Sequence, residues 1–150
     1  MPAGRYVVTH AEEAAATLRA ASSGRIFPVV DPPDLAAGEA LAATLEPADA
    51  LEATWTIATV ERRWTVSIAA SDRPPGERAL AAAPAPGEIE RLAVESGACH
   101  VIGVPEETTE FAVEEVIDDP ATRDRAVRLG VDRVAVRSAP GVVVVRYEDV

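Results

Sequence analysis

Lysine, asparagine and glutamine are absent from the 150-residue chain, so all 14 basic residues are arginine. The three missing residues share A-rich codons, and a very GC-rich source genome is the simplest cause of so uniform an exclusion. Cysteine occurs once, at Cys99, which excludes an intramolecular disulfide and any zinc framework built from several thiols. No segment approaches the roughly 18 uninterrupted apolar residues of a membrane span, and the first ten residues lack the apolar stretch of about 7–15 residues found in a signal peptide. The expectation is a cytoplasmic protein with no membrane association. Gly-x-Gly-x-x-Gly, P-loop and Gly-x-Ser-x-Gly motifs are also missing, which removes the commonest nucleotide and hydrolase signatures. No cofactor and no metal are expected.

What is present is acid and small aliphatic bulk. The chain carries 25 Asp and Glu and a formal charge of −11, while 30 Ala and 20 Val make up a third of it and aromatics only 4%. An excess of carboxylates repels itself and weakens the compact state unless salt screens it. At about 1 M salt the Debye length is only about 3 Å, at which such a charge is tolerated. A high-salt cytoplasm is therefore the expected habitat.

A proline-rich stretch, Arg73 to Gly87, holds four of the twelve prolines without hydrophobic periodicity. It reads as an extended connector and divides the chain into a lobe over 1–72, a linker over 73–86 and a lobe over 87–150. In the first lobe Tyr6 to His10, Arg25 to Val30 and Glu39 to Glu46 are β-like runs. A hairpin is expected from Trp55, Ile57 and Thr59 to Trp64, Val66 and Ile68, turning through Glu61-Arg62 or through Val60 to Arg63, the four-residue loop being favoured because no Gly or Asn is there to take positive φ. Ala11 to Ser23 supports two readings. Helical spacing of Ala14, Ala15, Leu18 and Ala21, with Thr9 and Glu12 as a capping box, favours a helix. A hairpin through Ser22-Ser23-Gly24, with Leu18 inward, competes with it, and periodicity does not choose.

The second lobe reads more plainly. Ala98 to Val104 is a short apolar strand, and Ala112, Val113, Val116 and Ile117 form one stripe of a helix over 106–118. A second helix comes next, capped by Asp119, opened by Pro120 and ended at Gly130. Val131 to Arg137 and Val142 to Tyr147 form a hairpin around Pro140-Gly141, and Glu88 to Ala93 offers an additional strand. The fold expected is α+β: a small β-barrel-like N-terminal lobe, then an antiparallel sheet with two helices on one face.

Tyr-Val-Val-Thr-His (6–10), Thr-Trp-Thr-Ile (54–57), Ala-Cys-His-Val-Ile-Gly-Val-Pro (98–105) and the stretch from Asp132 to Tyr147 carry a resemblance. Along nearly its whole length the chain resembles a family of short, acidic haloarchaeal proteins of unknown function. The resemblance implies habitat and architecture, transfers no catalytic motif, and favours the hairpin over the helix between Ala14 and Val29.

His10, Cys99 and His100 are the only imidazoles and thiol, so any Cys-His pair or transition-metal site must draw on them. Neighbours on a strand face opposite ways, so His100 cannot activate Cys99 directly, and structural roles are the expectation. The carboxylate pairs Glu12-Glu13, Glu106-Glu107, Glu114-Glu115 and Asp118-Asp119 fall in runs suited to solvated surface. One segment opposes the acidic trend: Ala121 to Arg137 holds five arginines against two aspartates, just after Val101 to Pro120 with seven acids and no base. A turn centred on Pro140-Gly141 puts Arg133, Arg137 and Arg146 on one sheet face, with Glu148 opposite Arg133. Such a face suits a phosphate or carboxylate held bidentately. Arg62 and Arg63, beside Trp64 at the expected hairpin tip, are the second candidate pair, with Trp64 itself expected in the core.

These features favour a non-enzymatic binding or regulatory module with an anionic or nucleic-acid ligand or a protein partner. The alternatives are an enzyme using His100 or a buried carboxylate, and a subunit completed by a partner. The charge imbalance makes its own prediction. The melting temperature at pH 7 should rise steeply as KCl goes from about 0.1 M to beyond 1 M, where the Debye length shrinks from about 10 to 3 Å. A flat profile across that range leaves genome composition as the sole cause of the missing lysines.

Overall fold

The structure is a computed structural model that describes residues 3–150. Ten strands and three helices form two compact units, one ending at Val66 and one from Ser67 to Val150. The class is α+β, as the residue pattern indicates.

The first unit is a ring of five strands: β1 (Ala3–Ala11), β2 (Ala15–Ala20), β3 (Ile26–Val30), β4 (Glu39–Pro47) and β5 (Trp55–Thr65). They close in the order β1-β2-β3-β5-β4, antiparallel except at the short parallel seam where Val29 meets Trp55. Alternation decides what lines the interior. Tyr6, Val8, Leu18, Phe27, Val29, Leu41, Ala43, Leu45 and Trp55 bury inward, each two residues from the next on its strand because successive side chains point to opposite faces. Phe27 stands edge-on to both Tyr6 and Trp55, at centroid distances of 5.6 and 5.1 Å, an arrangement that aligns ring edges with ring faces. Half of the chain's six aromatic residues therefore sit in this one cluster.

The contested segment is a hairpin. β2 and β3 are paired from Arg19–Ile26 to Ala15–Val30, and the turn closes through the Gly24 N–H to the Ala20 carbonyl at 2.8 Å. The helical spacing of alanines loses to burial, because Leu18 and Ala16 reach the ring interior only from a strand.

The expected hairpin at 60–63 does not form. Residues 55–65 run as one strand along β4, with register shifts between Ala42 and Ala43 and between Thr44 and Leu45 that leave Glu61 and Ala58 as extra residues. Each β-bulge reverses the in-out parity of the residues beyond it. Two such reversals cancel, so the opposite parities of the Trp55 and Trp64 sets put them on opposite faces of one continuous strand. Trp64 pairs with Ala40, on the side away from the interior, and is half-buried instead of being a core residue.

The second unit is a five-stranded sheet, β6-β9-β10-β8-β7, made of β6 (Ser67–Ala70), β7 (Ile89–Leu92), β8 (Ala98–Gly103), β9 (Arg133–Ala139) and β10 (Val142–Glu148). Four strands are antiparallel as expected, but β6 adds in parallel to β9 at the edge, from Ser67 opposite Arg133 to Ala70 opposite Val136. The unit boundary accordingly falls before Ser67, ahead of the proline-rich stretch. That stretch is no bare extended connector: it contains α1 (Glu77–Ala81), buries Ala79, and is tied to β8 by the Gly87 N–H to the Gly103 carbonyl.

A 3₁₀ turn at Glu106–Thr108 leads into α2 (Thr109–Asp118), and α3 (Pro120–Leu129) comes after it. The Asp119 carboxylate accepts from the Ala121 N–H and Gly130 takes the left-handed conformation at the exit, so the cap, Pro and Gly act as their positions indicate. Both helices lie on the sheet face that carries Val134, Val136, Val143, Val145 and Tyr147. The opposite face carries a smaller core of Cys99, Val101, Val142 and Val144 with Ala79.

Gly97, just before β8, has φ +73°, and a Cβ there would collide with the Tyr147 carbonyl oxygen. Neither fault can be relieved by a side-chain rotation, since both lie in the backbone. Gly97→Ala should destabilise the protein by about 2 kcal/mol or more, read by chemical denaturation; an unchanged midpoint would mean that β8 and β10 do not approach as described.

Candidate functional site

The register of β9 and β10 decides the site. Val142 pairs with Ala139 and Glu148 with Arg133, so the turn is centred on Pro140-Gly141. Arg133, Arg137 and Arg146 consequently project from one face of the sheet, the face opposite the helices, with Glu148 among them.

Two of the three guanidinium groups share that carboxylate, unequally. Arg133 Nη2 lies 3.1 Å from Glu148 Oε2 and Arg146 Nε 4.0 Å from Oε1, with side-chain exposures of 43% for Arg133, 39% for Arg146 and 26% for Glu148. Arg137 makes no ion pair among the described residues, and its Nε, like that of Arg133, is buried without a hydrogen-bond partner. A buried donor left unsatisfied is costly, and more so on a charged group. Beside the cluster is a cavity of about 350 Å³, whose walls include Ser67, Ser71, Arg73, Arg133, Arg137 and Glu148. A smaller one of about 140 Å³ on the same face is bounded by Arg78, Arg137 and Arg146. Arg137 borders both. Sequence reasoning found the three strand arginines and missed Arg73 and Arg78, which come from the proline-rich stretch and its approach, where no periodicity announces a facing direction.

Arg62 and Arg63 are not at a hairpin tip. They are neighbours on β5 and face opposite ways: the Arg62 guanidinium lies 4.1 Å from the Trp64 ring centre, whereas Arg63 bonds Glu39 through Nε and Nη2 at 2.8 and 3.0 Å and the Asp34 carbonyl at 2.8 Å. The Arg63 hydrogen bond holds the Glu39 carboxyl below its ordinary range. The geometry of Arg63 is that of a structural clamp across β4 and β5.

Cys99 and His100 do face opposite sides. Cys99 is in the small core, where burial pushes its thiol up, outweighing the nearby Arg146, Arg78 and Arg137; a thiolate nucleophile is disfavoured there. His10 is exposed and its Nδ1 contacts Thr9 Oγ1 at 3.1 Å. No group of three or more His, Cys, Asp or Glu among the described residues is arranged to hold a metal ion, and no described Asp or Glu is buried. No helix among them is long and apolar enough to cross a membrane.

A family model for a family of unknown function, DUF5812, matches residues 2–138. The chain belongs to that family. No curated protein and no solved structure matches it. For this DUF5812 protein, the chemistry must therefore be read from its own side chains.

His100, on the helix side of the sheet, is the one buried imidazole. Its ring centre is 5.5 Å from that of Tyr147, and burial first, then Arg125 and Arg91, hold its pKa below the ordinary value. The neutral ring is the folded form near pH 7. The unfolded chain takes up this proton at about pH 6.5 and the folded protein only at lower pH, so His100 stabilises the fold less as pH falls through that value. The melting temperature should therefore drop between about pH 7.5 and 5.5, and His100→Gln should flatten this interval. A wild-type profile that is level there, or equal to that of the variant, contradicts the buried neutral ring.

Proposed function

We propose that the protein is a non-enzymatic binding or regulatory module for a small anion in a high-salt cytoplasm, and that Arg133, Arg137 and Arg146 hold the ligand. The observation that carries this reading is Arg137: a guanidinium with a buried, unpartnered Nε and no carboxylate of its own, between two cavities on one sheet face. A bound oxyanion would supply the missing acceptor, and the planar fork of arginine matches phosphate or carboxylate with two parallel hydrogen bonds.

Two observations favour a small anion over nucleic acid. The six aromatic residues of the chain are Tyr6, Phe27, Trp55, Trp64, Phe111 and Tyr147, and none borders either cavity of this face, so no base-stacking platform accompanies the arginines. The net charge of −11 also opposes a long phosphate backbone. The alternative of an enzyme using His100 or a buried carboxylate lacks a buried acid among the described residues. Halophily accounts for the acidic surface around the basic face.

Calorimetric titration with pyrophosphate, in parallel with a single-stranded RNA oligomer, tests the reading at about 0.2 and 2 M KCl. Pyrophosphate should bind, and Arg133→Met with Arg137→Met should weaken it by about tenfold or more, the loss of one or two charge-assisted bonds. Wild-type protein that ignores pyrophosphate, a double variant that binds equally well, or RNA binding in preference to pyrophosphate defeats it.

A further inference from the structure

The other face of the same sheet carries a larger concavity that the arginine face does not explain. α2 and α3 pack chiefly on β9, with further α2 contacts to β10 and β6. Toward β8 and β7 a cleft of about 670 Å³ opens under the end of α2 and the start of α3. Cross-strand pairing builds its floor: His100 lies between Val145 on β10 and Arg91 on β7, and Ile102 pairs with Ile89. Arg125 reaches down from α3, and its Nη1 donates to the Tyr147 hydroxyl at 3.1 Å.

The imidazole of His100 and the phenol of Tyr147 are buried at the floor, Arg125 is half-buried beside them, and Arg91 is exposed on the edge strand β7. Three carboxylates border the cleft, those of Glu90, Glu115 and Asp119; all are exposed, and Asp119 is engaged with the Ala121 N–H at 2.9 Å. Arg125 and Arg91 both lie close enough to help keep the His100 ring neutral, after burial. Between floor and rim the lining is apolar, through Ile89, Ile102, Val116 and Val145. Ile89 is 59% exposed, an uncovered aliphatic side chain at the mouth of the cleft.

We infer that this cleft is a second ligand site, for a small organic anion whose carboxylate or phosphate is held by Arg125 and Arg91 and whose apolar body lies against Ile89, Ile102 and Val116. Cavities of this size suit a small molecule, and an apolar wall facing convergent polar groups is how such sites fix orientation. The two guanidinium groups select the anion, since a cationic head would be repelled by both. The aliphatic walls select an apolar body over a bare inorganic ion, which would leave them uncovered.

The chain has two histidines, so the ring resonances in a ¹H–¹³C spectrum report His100 with His10 as an internal control. Phenyl phosphate, benzoate, inorganic phosphate and benzyl alcohol are titrated separately. Phenyl phosphate or benzoate should shift His100 saturably and leave His10 still, and whichever binds more tightly identifies the head group. Inorganic phosphate and benzyl alcohol should each bind about tenfold more weakly than that ligand. Arg125→Gln, and Arg91→Gln at an exposed edge position that does not threaten folding, should each weaken it to a similar degree, whereas Arg133→Met with Arg137→Met should leave it unchanged. The inference is overturned if neither organic anion moves His100, if His10 moves equally, if the Arg91 variant titrates like wild type, or if the Arg133 and Arg137 double variant abolishes the effect.

Discussion

The two-residue turn at Pro140-Gly141 sets the face on which every side chain of β9 and β10 appears. With Val142 opposite Ala139, Val143, Val145 and Tyr147 go under the helices, and Val142, Val144, Arg146 and Glu148 go to the other side. A slip of one residue would exchange the two sets, burying a row of arginines beneath α2 and α3 and exposing valines. Burial of Val134, Val136, Val143, Val145 and Tyr147 therefore also fixes the arginine face and places His100 and Tyr147 next to each other.

Charge is distributed in keeping with that division. Most acidic residues lie in loops and on helix surfaces, where water and salt screen them, while Arg133, Arg137 and Arg146 are held by strand geometry on a partly covered surface where Glu148 pairs with two of the three. Arg125 and Arg91 form a second cationic pair on the reverse side. In a chain of formal charge −11, both clusters stand against the average field, and an anion reaching either exchanges repulsion by the surroundings for close, directed hydrogen bonds. Arg63 shows the contrast. Its guanidinium is saturated by Glu39 and the Asp34 carbonyl and has little left to offer a ligand.

Much of the architecture was legible locally. Asp119, Pro120 and Gly130 mark a helix because cap, fixed φ and left-handed exit are properties of single residues, and Pro140-Gly141 marks a turn for the same reason. The arginine face is reached from that turn by counting. At 60–63 the absence of Gly, Pro or Asn is itself a sign against a hairpin; opposite parities fit either two strands that turn to share a face or one strand with apolar residues on both faces, and parity alone does not choose. The expectation of a core Trp64 belongs to the first case.

What the sequence determined by itself is what depends on neighbouring residues: an acidic, alanine- and valine-rich composition, the α+β class, the ends of α3 and the register of the last hairpin. The tertiary structure decided whatever needs a distant partner. Residues 15–20 are a strand because Phe27, Tyr6 and Leu41 complete a core that Leu18 can enter only in extended form. Ser67–Ala70 joins β9 in parallel, a pairing across more than sixty residues whose hydrogen bonds leave no local signature. The cleft beside His100 exists because α2 and α3 cover one end of the sheet more than the other. Periodicity states which side of a helix is apolar; where along a sheet that side comes to rest is set by the packing of all the elements together.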